Sequence, residues 1–461
     1  MRVKSEQSAT FGGNRFTARA AELAARTPAD RDRHVDFLRV GSLAVVVLGH
    51  WLMAVPLTGP DGSVRAGNAL AVMPSLQPLT WLLQVMPVFF FVGGFSHAKA
   101  LRRGPRYGEF VRARAARLLV PTAVFAAVWL AAALLVELAG RDEGVLRLAT
   151  RVVAQPLWFV GVYLAMVAFA PPMWRLHRSY GAAVPVALGV GVVAVDLLRF
   201  GYGVTAVAPL NLLLVWLAVH QLGFCHADGR LGRRVSAALA GCGLTAMLAL
   251  IAWGPYPLSM VGMPGAPVSN MSPPTLALFT HALWLIGLTM LLHGPAARML
   301  ARPRVWIGVI AANGLAMTAF LWHLTALFLL CAVQFGLGLP RPAVGEPAWW
   351  LSRPLWLALL AAATAGLVAL FRRADRPRRP APRSHGPLRD VAGITLCVLG
   401  VLGFSAVGFG GTLAGRTATL VVLPVSPALC LGLLAAGAAL LGLFGGPSAG
   451  AFGRDRRDAT H

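Results

Sequence analysis

Lysine is almost absent from this chain. Of 41 basic residues only Lys4 and Lys99 are lysines; 17 acids oppose them, leaving a formal net charge of +24. Charge in general is scarce: 13% of the residues are Asp, Glu, Lys or Arg, against 57% hydrophobic. That balance excludes an ordinary soluble domain, whose charged fraction is about twice as large. Cysteine is equally thin. The five present (Cys225, Cys242, Cys331, Cys397 and Cys430) lie in or beside apolar segments, and none has CxxC spacing. A disulfide framework and a cysteine metal site are therefore not expected. There is no HExxH, Walker loop, GxSxG or paired-carboxylate motif, so metalloprotease, nucleotide hydrolase and serine-hydrolase chemistry have no sequence support. A cleavable signal peptide is also missing. The residues before the first apolar run are polar and arginine-containing, which predicts a mobile cytoplasmic arm over residues 1–32.

What the chain does have is apolar length. Twelve runs, near 35–56, 80–101, 118–138, 154–171, 183–199, 206–225, 235–253, 275–293, 313–336, 349–371, 390–411 and 418–445, are long enough to suggest membrane spans. The arginines fall between them in alternation, with 33 of the 41 basic residues on one side. Such asymmetry is the positive-inside pattern and not the footprint of a nucleic-acid binder. It predicts cytoplasmic termini and an even number of spans in a multi-pass protein. The arginine-for-lysine bias, with abundant Ala, Gly and Val, suggests a GC-rich bacterial genome, and the expected location is the bacterial cytoplasmic membrane.

Residues 372–389, RRADRPRRPAPRSHGPLR, form a Pro/Arg-rich linker that cannot continue a helix. The expected fold is thus an all-α polytopic membrane protein. It has a ten-helix body over 33–371, this linker, two additional helices over 390–445 and a cytoplasmic tail over 446–461. The last pair is rich in Gly and Ala and reads as a packing or assembly element.

The first run, RHVDFLRVGSLAVVVLGHWLMAVP (33–56), carries the chemistry. Arg39 and His50 stand eleven positions apart, which brings them within about 20° of one helix face and about 16 Å apart along the axis. Asp36 falls on the same side. An acid, an arginine and an intramembrane histidine in one stripe should face a protein or water-filled interior. A neutral imidazole there can serve as general base toward a hydroxyl or as transient acyl carrier; a packing histidine is the plainer reading. The Arg39 fork suits a phosphate or pyrophosphate, although positive-inside anchoring would also explain it. Arg114 and Arg117, at i and i+3 on one face, form a basic patch that suits phosphate groups or anionic lipid. His323 lies within the ninth run. Asp196 and Arg199 either pair with each other or mark an acceptor site, and His220 and His281 carry less weight.

Several of these segments together resemble the acyltransferase-3 family of integral membrane O-acyltransferases. Asp36-Phe37-Leu38-Arg39-x10-His50 resembles its first-helix signature, and Arg114-x2-Arg117-Leu-x2-Pro121 its basic entry to the third helix. PVFFFVGGF (87–95) resembles the phenylalanine-rich segment, with Gly93 where the family usually has serine. FLWHLT (320–325) supplies a histidine after aromatic residues, and Trp158-Phe159 a family tryptophan. The resemblance covers roughly 33–371. It implies transfer of an acyl group, usually acetyl from acetyl-CoA at the cytoplasmic side, to a hydroxyl of a carbohydrate, glycolipid, cell-wall or secondary-metabolite acceptor. Under it His50, His323 and Asp36 are the catalytic candidates, and Arg39, Arg114 and Arg117 hold the acyl-CoA donor, with no metal. The rival readings are a transporter with a midplane site and a membrane scaffold without turnover.

Overall fold

The computed structural model describes residues 11–28, 31–58, 64–140, 144–373 and 386–443. In chain order they form α1 (Phe11–Ala25), α2 (Arg33–Met53), the hairpin β1 (Ala54–Thr58) and β2 (Val64–Asn68), and the short α3 (Ala69–Val72) and α4 (Leu79–Leu83). Then follow α5 (Met86–Leu101), α6 (Tyr107–Leu138), α7 (Gly144–Val152), α8 (Leu157–Tyr180), α9 (Ala183–Asp196), α10 (Leu210–Ala227) and α11 (Arg233–Trp253). The remainder is α12 (Leu276–Leu291), α13 (His293–Leu300), α14 (Pro303–Asn313), α15 (Ala316–Gly336), α16 (Pro347–Phe371) and α17 (Pro387–Val407). A second hairpin, β3 (Ala418–Leu420) and β4 (Leu423–Val425), leads into α18 (Pro427–Leu440). Among the described residues ten helices are long and apolar enough to cross a membrane, or eleven if α12 and α13 make one bent span. The protein is an all-α polytopic membrane protein.

Contacts divide the chain into two units. The first takes residues up to Ala100 and Pro172–Arg373; the second takes Leu101–Pro171 and the described residues beyond 373.

In the first unit α2 has a defined start and stop. Asp32 is the N-cap, accepting the amides of His34 and Val35 at 3.0 and 3.1 Å, and Asp36 in the first turn complements the positive helix end. The helix stops at Met53 because Val55 is β-branched and Pro56 cannot extend it; residues 54–58 instead pair antiparallel with 64–68. His50 therefore occupies the last turn of α2 and not the interior of a 35–56 span. The run expected over 275–293 continues past Leu292 but bends by 51°, close to Pro295. Where the sequence predicts a mobile arm, residues 11–25 are helical. Ala24 packs with Leu300, Trp306 and Val309, and the Trp306 indole donates to Thr27 Oγ1 at 2.9 Å. The arm's first ten residues, most of the Pro/Arg linker and the C-terminal tail lie outside the described residues.

In the second unit α17 packs on both α6 and α18. Asp390 in the first turn of α17 lies 3.8 Å from Arg112 of α6, both nearly buried. The Glu137 carboxylate near the other end of α6 accepts the amides of Gly411, Thr412 and Leu413, fixing the loop after α17. Where the last span is expected over 418–445, residues 418–420 and 423–425 form the hairpin, and Ser426 caps α18 through the Leu429 amide. Proline explains the difference: Pro424 sits in the hairpin and Pro427 begins the helix. At 14 residues α18 is about 21 Å long, short of a bilayer core of about 30 Å.

Asp390→Ala leaves Arg112 buried without its acid, and we expect a loss of about 3 kcal/mol. Adding Arg112→Met should restore most of it. Thermal unfolding of the purified chain in detergent reads both; an Asp390→Ala chain as stable as wild type would show that the pair carries no weight.

Candidate active site on helices α2 and α15

Two of the sequence candidates meet. His323 Nε2 lies 3.0 Å from His50 Nδ1, and the two rings overlap at 5.0 Å between centroids with 27° between planes. His323 is fully buried, His50 half-buried. The far side of the His323 ring settles the proton order. Its Nδ1 is 2.6 Å from the Phe320 carbonyl oxygen, which can only accept, so Nδ1 carries hydrogen. In the neutral ring Nε2 is then an acceptor, and the matching donor is His50 Nδ1–H. That leaves the lone pair of His50 on Nε2, free of any hydrogen bond among the described residues. The His50 ring is thereby oriented through His323 and the Phe320 carbonyl, without a carboxylate, in an arrangement that base or nucleophile chemistry can use.

A second contact fixes the same turn. The Trp51 indole donates to the His323 carbonyl at 3.2 Å. Trp51 also borders an apolar cavity of about 590 Å³ between α2, α15 and α16, whose walls include Val47, Ala319, Ala365 and Thr364, with Arg372 at its edge.

Arg39 lies about three turns below. Its Nη2 donates to Asp36 Oδ1 and its Nε to Asn313 Oδ1, both at 3.0 Å. Asn313 ends α14, immediately before α15. Contacts at 39–313 and 50–323 mean that α2 and the α14–α15 segment run in parallel with nearly matched register. Asp36 does not reach His50. Its other oxygen takes Arg31 Nε at 2.6 Å, so one carboxylate links Arg31 and Arg39. Arg39 keeps guanidinium N–H groups without a partner among the described residues.

Arg114 and Arg117 belong to the second unit. Arg114 is half-buried over the Phe110 ring at 3.8 Å and bonds the Phe110 carbonyl at 3.3 Å, while Arg117 is exposed one turn further along α6.

The structure also reveals polar groups that sequence reading missed or ranked low. His97 Nδ1 and His220 Nε2 form a second histidine pair at 2.9 Å, both buried. Gly94 and Gly223 make it possible: a methyl on either would overlap the facing backbone of α10 or α5. Asp196 does not form an ion pair with Arg199. It accepts from Asn211 Nδ2 at 2.9 Å, the Tyr256 hydroxyl at 3.0 Å and the Leu276 amide at 2.7 Å, stapling α9 and α10 to the start of α12. Arg199 instead covers the Phe200 ring at 4.5 Å. His281 Nε2 donates to the Trp81 carbonyl at 2.6 Å, a fastening between α12 and α4. No signal in the chain pairs His97 with His220, since the partners are 123 residues apart. Among the described residues no group of three or more His, Cys, Asp or Glu side chains could hold a metal ion.

A family model described as an acyltransferase domain matches residues 32–372. No curated protein and no solved structure matches the chain.

The shared carboxylate yields a stability prediction. Asp36→Asn keeps the shape but withdraws the charge that holds Arg31 and Arg39. Because both guanidinium groups are more than a third exposed, the expected loss after solvent screening is only about 1 kcal/mol. Thermal unfolding in detergent tests it, and a loss as large as that of a buried charge would show that Asp36 does more than align two arginines.

Proposed function

The chain belongs to the acyltransferase-3 family, and on that premise we propose that it is an O-acyltransferase using acyl-CoA. The acyl group is acetyl or another short one, taken from the cytoplasmic side. The acceptor is a hydroxyl of a carbohydrate, glycolipid, cell-wall or secondary-metabolite molecule. The observation that carries this reading is the Phe320–His323–His50 hydrogen-bond chain, which leaves a lone pair on His50 Nε2.

In the direct route His50 Nε2 removes the acceptor's hydroxyl proton as its oxygen attacks the thioester carbonyl carbon. The C–O bond forms, the C–S bond breaks, and the proton passes to the departing CoA thiolate. In the relay route the same nitrogen attacks the thioester carbon and the C–S bond breaks to release CoA thiolate. The acceptor oxygen then attacks the acyl carbon, the C–N bond breaks, and the hydroxyl proton ends on the thiolate. His323 positions the ring in both. Arg39, held by Asp36 and Asn313, presents its remaining N–H groups to phosphate oxygens of the donor. In the second unit, Arg114 and Arg117 are basic positions that suit the same chemistry. Asp36 then supports binding and not proton transfer. The cavity beside Trp51 offers apolar space to the acyl group or to an alkyl part of the acceptor.

Acyl-CoA turnover by the full chain in nanodiscs tests the reading. We expect His50→Ala to lower turnover by at least about 10²-fold, the usual contribution of a general base. His323→Ala should cost less, and His323→Gln, whose side-chain oxygen can still accept from His50 Nδ1–H, should recover part of the loss. Undiminished turnover in His50→Ala would remove this site from the chemistry.

A further inference from the structure

The first unit contains a second, polar cavity that the acyl-transfer reading leaves unused. It measures about 400 Å³ and is walled by Arg31, Asp32, Arg33 and His34 at the start of α2, and by His293, Ala297 and Leu300 of α13. Its cations are positioned by the fold. Arg33 Nη1 donates to the Leu300 carbonyl at 3.1 Å and its guanidinium lies over the Trp306 ring at 5.0 Å. Those contacts use one N–H and one face, leaving the rest of the fork without a partner among the described residues. Arg31 is oriented by its bond to Asp36, which leaves both of its terminal nitrogens. The His34 ring meets the His293 ring edge-on at 5.0 Å. His34 is only 3% exposed, and its Nδ1 is buried with no hydrogen-bond partner.

The nearby acids do not neutralise this wall. Asp32 spends one oxygen on the amides of His34 and Val35, and its other oxygen lies 3.5 Å from His226 Nε2. Burial pushes its carboxyl up, but His226 and the Val35 amide outweigh burial and bring it down to about 2. Asp36 is shared between Arg31 and Arg39. Within the wall itself two arginines, Arg31 and Arg33, thus face one carboxylate, Asp32. A buried polar atom without a partner beside an excess of guanidinium donors calls for an anion with several oxygens at tetrahedral spacing.

We propose that this cavity binds a phosphate group. Its ligand is a phosphate ester, either the nucleotide end of the acyl-CoA donor or a phospholipid headgroup at the membrane surface. The first source rests on the acyl-CoA reading and deepens it. Arg31 is then the link between the two phosphate-binding positions, because the carboxylate that orients it also orients Arg39.

Adenosine 3′,5′-bisphosphate is the probe, since it carries phosphates but no acyl group and so reports binding independently of turnover. Isothermal titration of the full chain in nanodiscs of zwitterionic lipid should detect it, with adenosine as the phosphate-free control. Ala297→Glu and His293→Glu place a carboxylate at exposed positions of the wall and should each weaken binding at least about tenfold. Ala297→Gln should bind within about threefold of wild type, and His50→Ala unchanged. Bisphosphate affinity that Ala297→Glu and His293→Glu leave untouched overturns the proposal, as does a folded wild type that binds neither bisphosphate nor short-chain phosphatidylglycerol. Binding of phosphatidylglycerol alone, lost in Ala297→Glu, keeps the phosphate site and makes a lipid its ligand. Bisphosphate binding together with undiminished turnover in His50→Ala keeps the cavity and rejects the proposed chemistry.

Discussion

The first unit depends on the register between α2 and the α14–α15 segment. Two polar contacts set it, Arg39 to Asn313 and His50 to His323, with the Trp51 indole closing on the His323 carbonyl beside the second. Each pairs polar groups that would be costly against lipid, so each favours one alignment of the two helices over all others. Apolar packing alone would tolerate a slip of a turn. Displacing these bonds by one turn would leave two imidazoles, a guanidinium and an amide unsatisfied in a poorly hydrated interior. The stripe on α2 is thus a structural device and a chemical one for the same reason.

The neutral character of the histidine contact matters for its chemistry. A base oriented by a carboxylate shares its interior with a fixed negative charge, which disfavours approach of a thiolate leaving group. Here the orienting partner is another imidazole, itself oriented by a backbone carbonyl. Among the described residues, the ionised groups on this face of α2 lie about three or more turns away, where Asp36 joins Arg31 to Arg39. Arg39 and His50 are separated by about 16 Å along one helix. That separation suits a donor whose phosphates and reacting carbonyl lie at opposite ends.

In the second unit polar groups serve the backbone. Glu137 closes the amides of a loop, and Asp390 sits against Arg112 where Gly108 leaves room for its carboxylate. The segments after residue 386 are therefore held to α6 at both of its ends. The Gly- and Ala-rich surfaces of α17 and α18 permit the close approach that lipid-embedded helices use instead of hydrophobic driving force.

Hydropathy and arginine placement sufficed for the class of fold, because a chain crossing lipid must hide its backbone polarity within each segment. The spacing of Arg39 and His50 was legible for a similar reason: helical period and rise are local properties. His323 was a candidate from its aromatic neighbours, but its bond to His50 spans 273 residues, and no local pattern encodes such a pairing. The same holds for Asn313 beneath Arg39, for His97 with His220, and for the cavity formed where α13 meets the start of α2. Asp36 shows the difference most clearly. Its place in the stripe followed from the sequence, whereas its task, aligning Arg31 with Arg39, followed from the placement of the Arg31 side chain against it. Helix ends were decided the same way: α2 gave up its last residues to a hairpin, and the final apolar run shortened to α18. Which residues could act was a local matter. Which of them touch was decided by packing between distant segments.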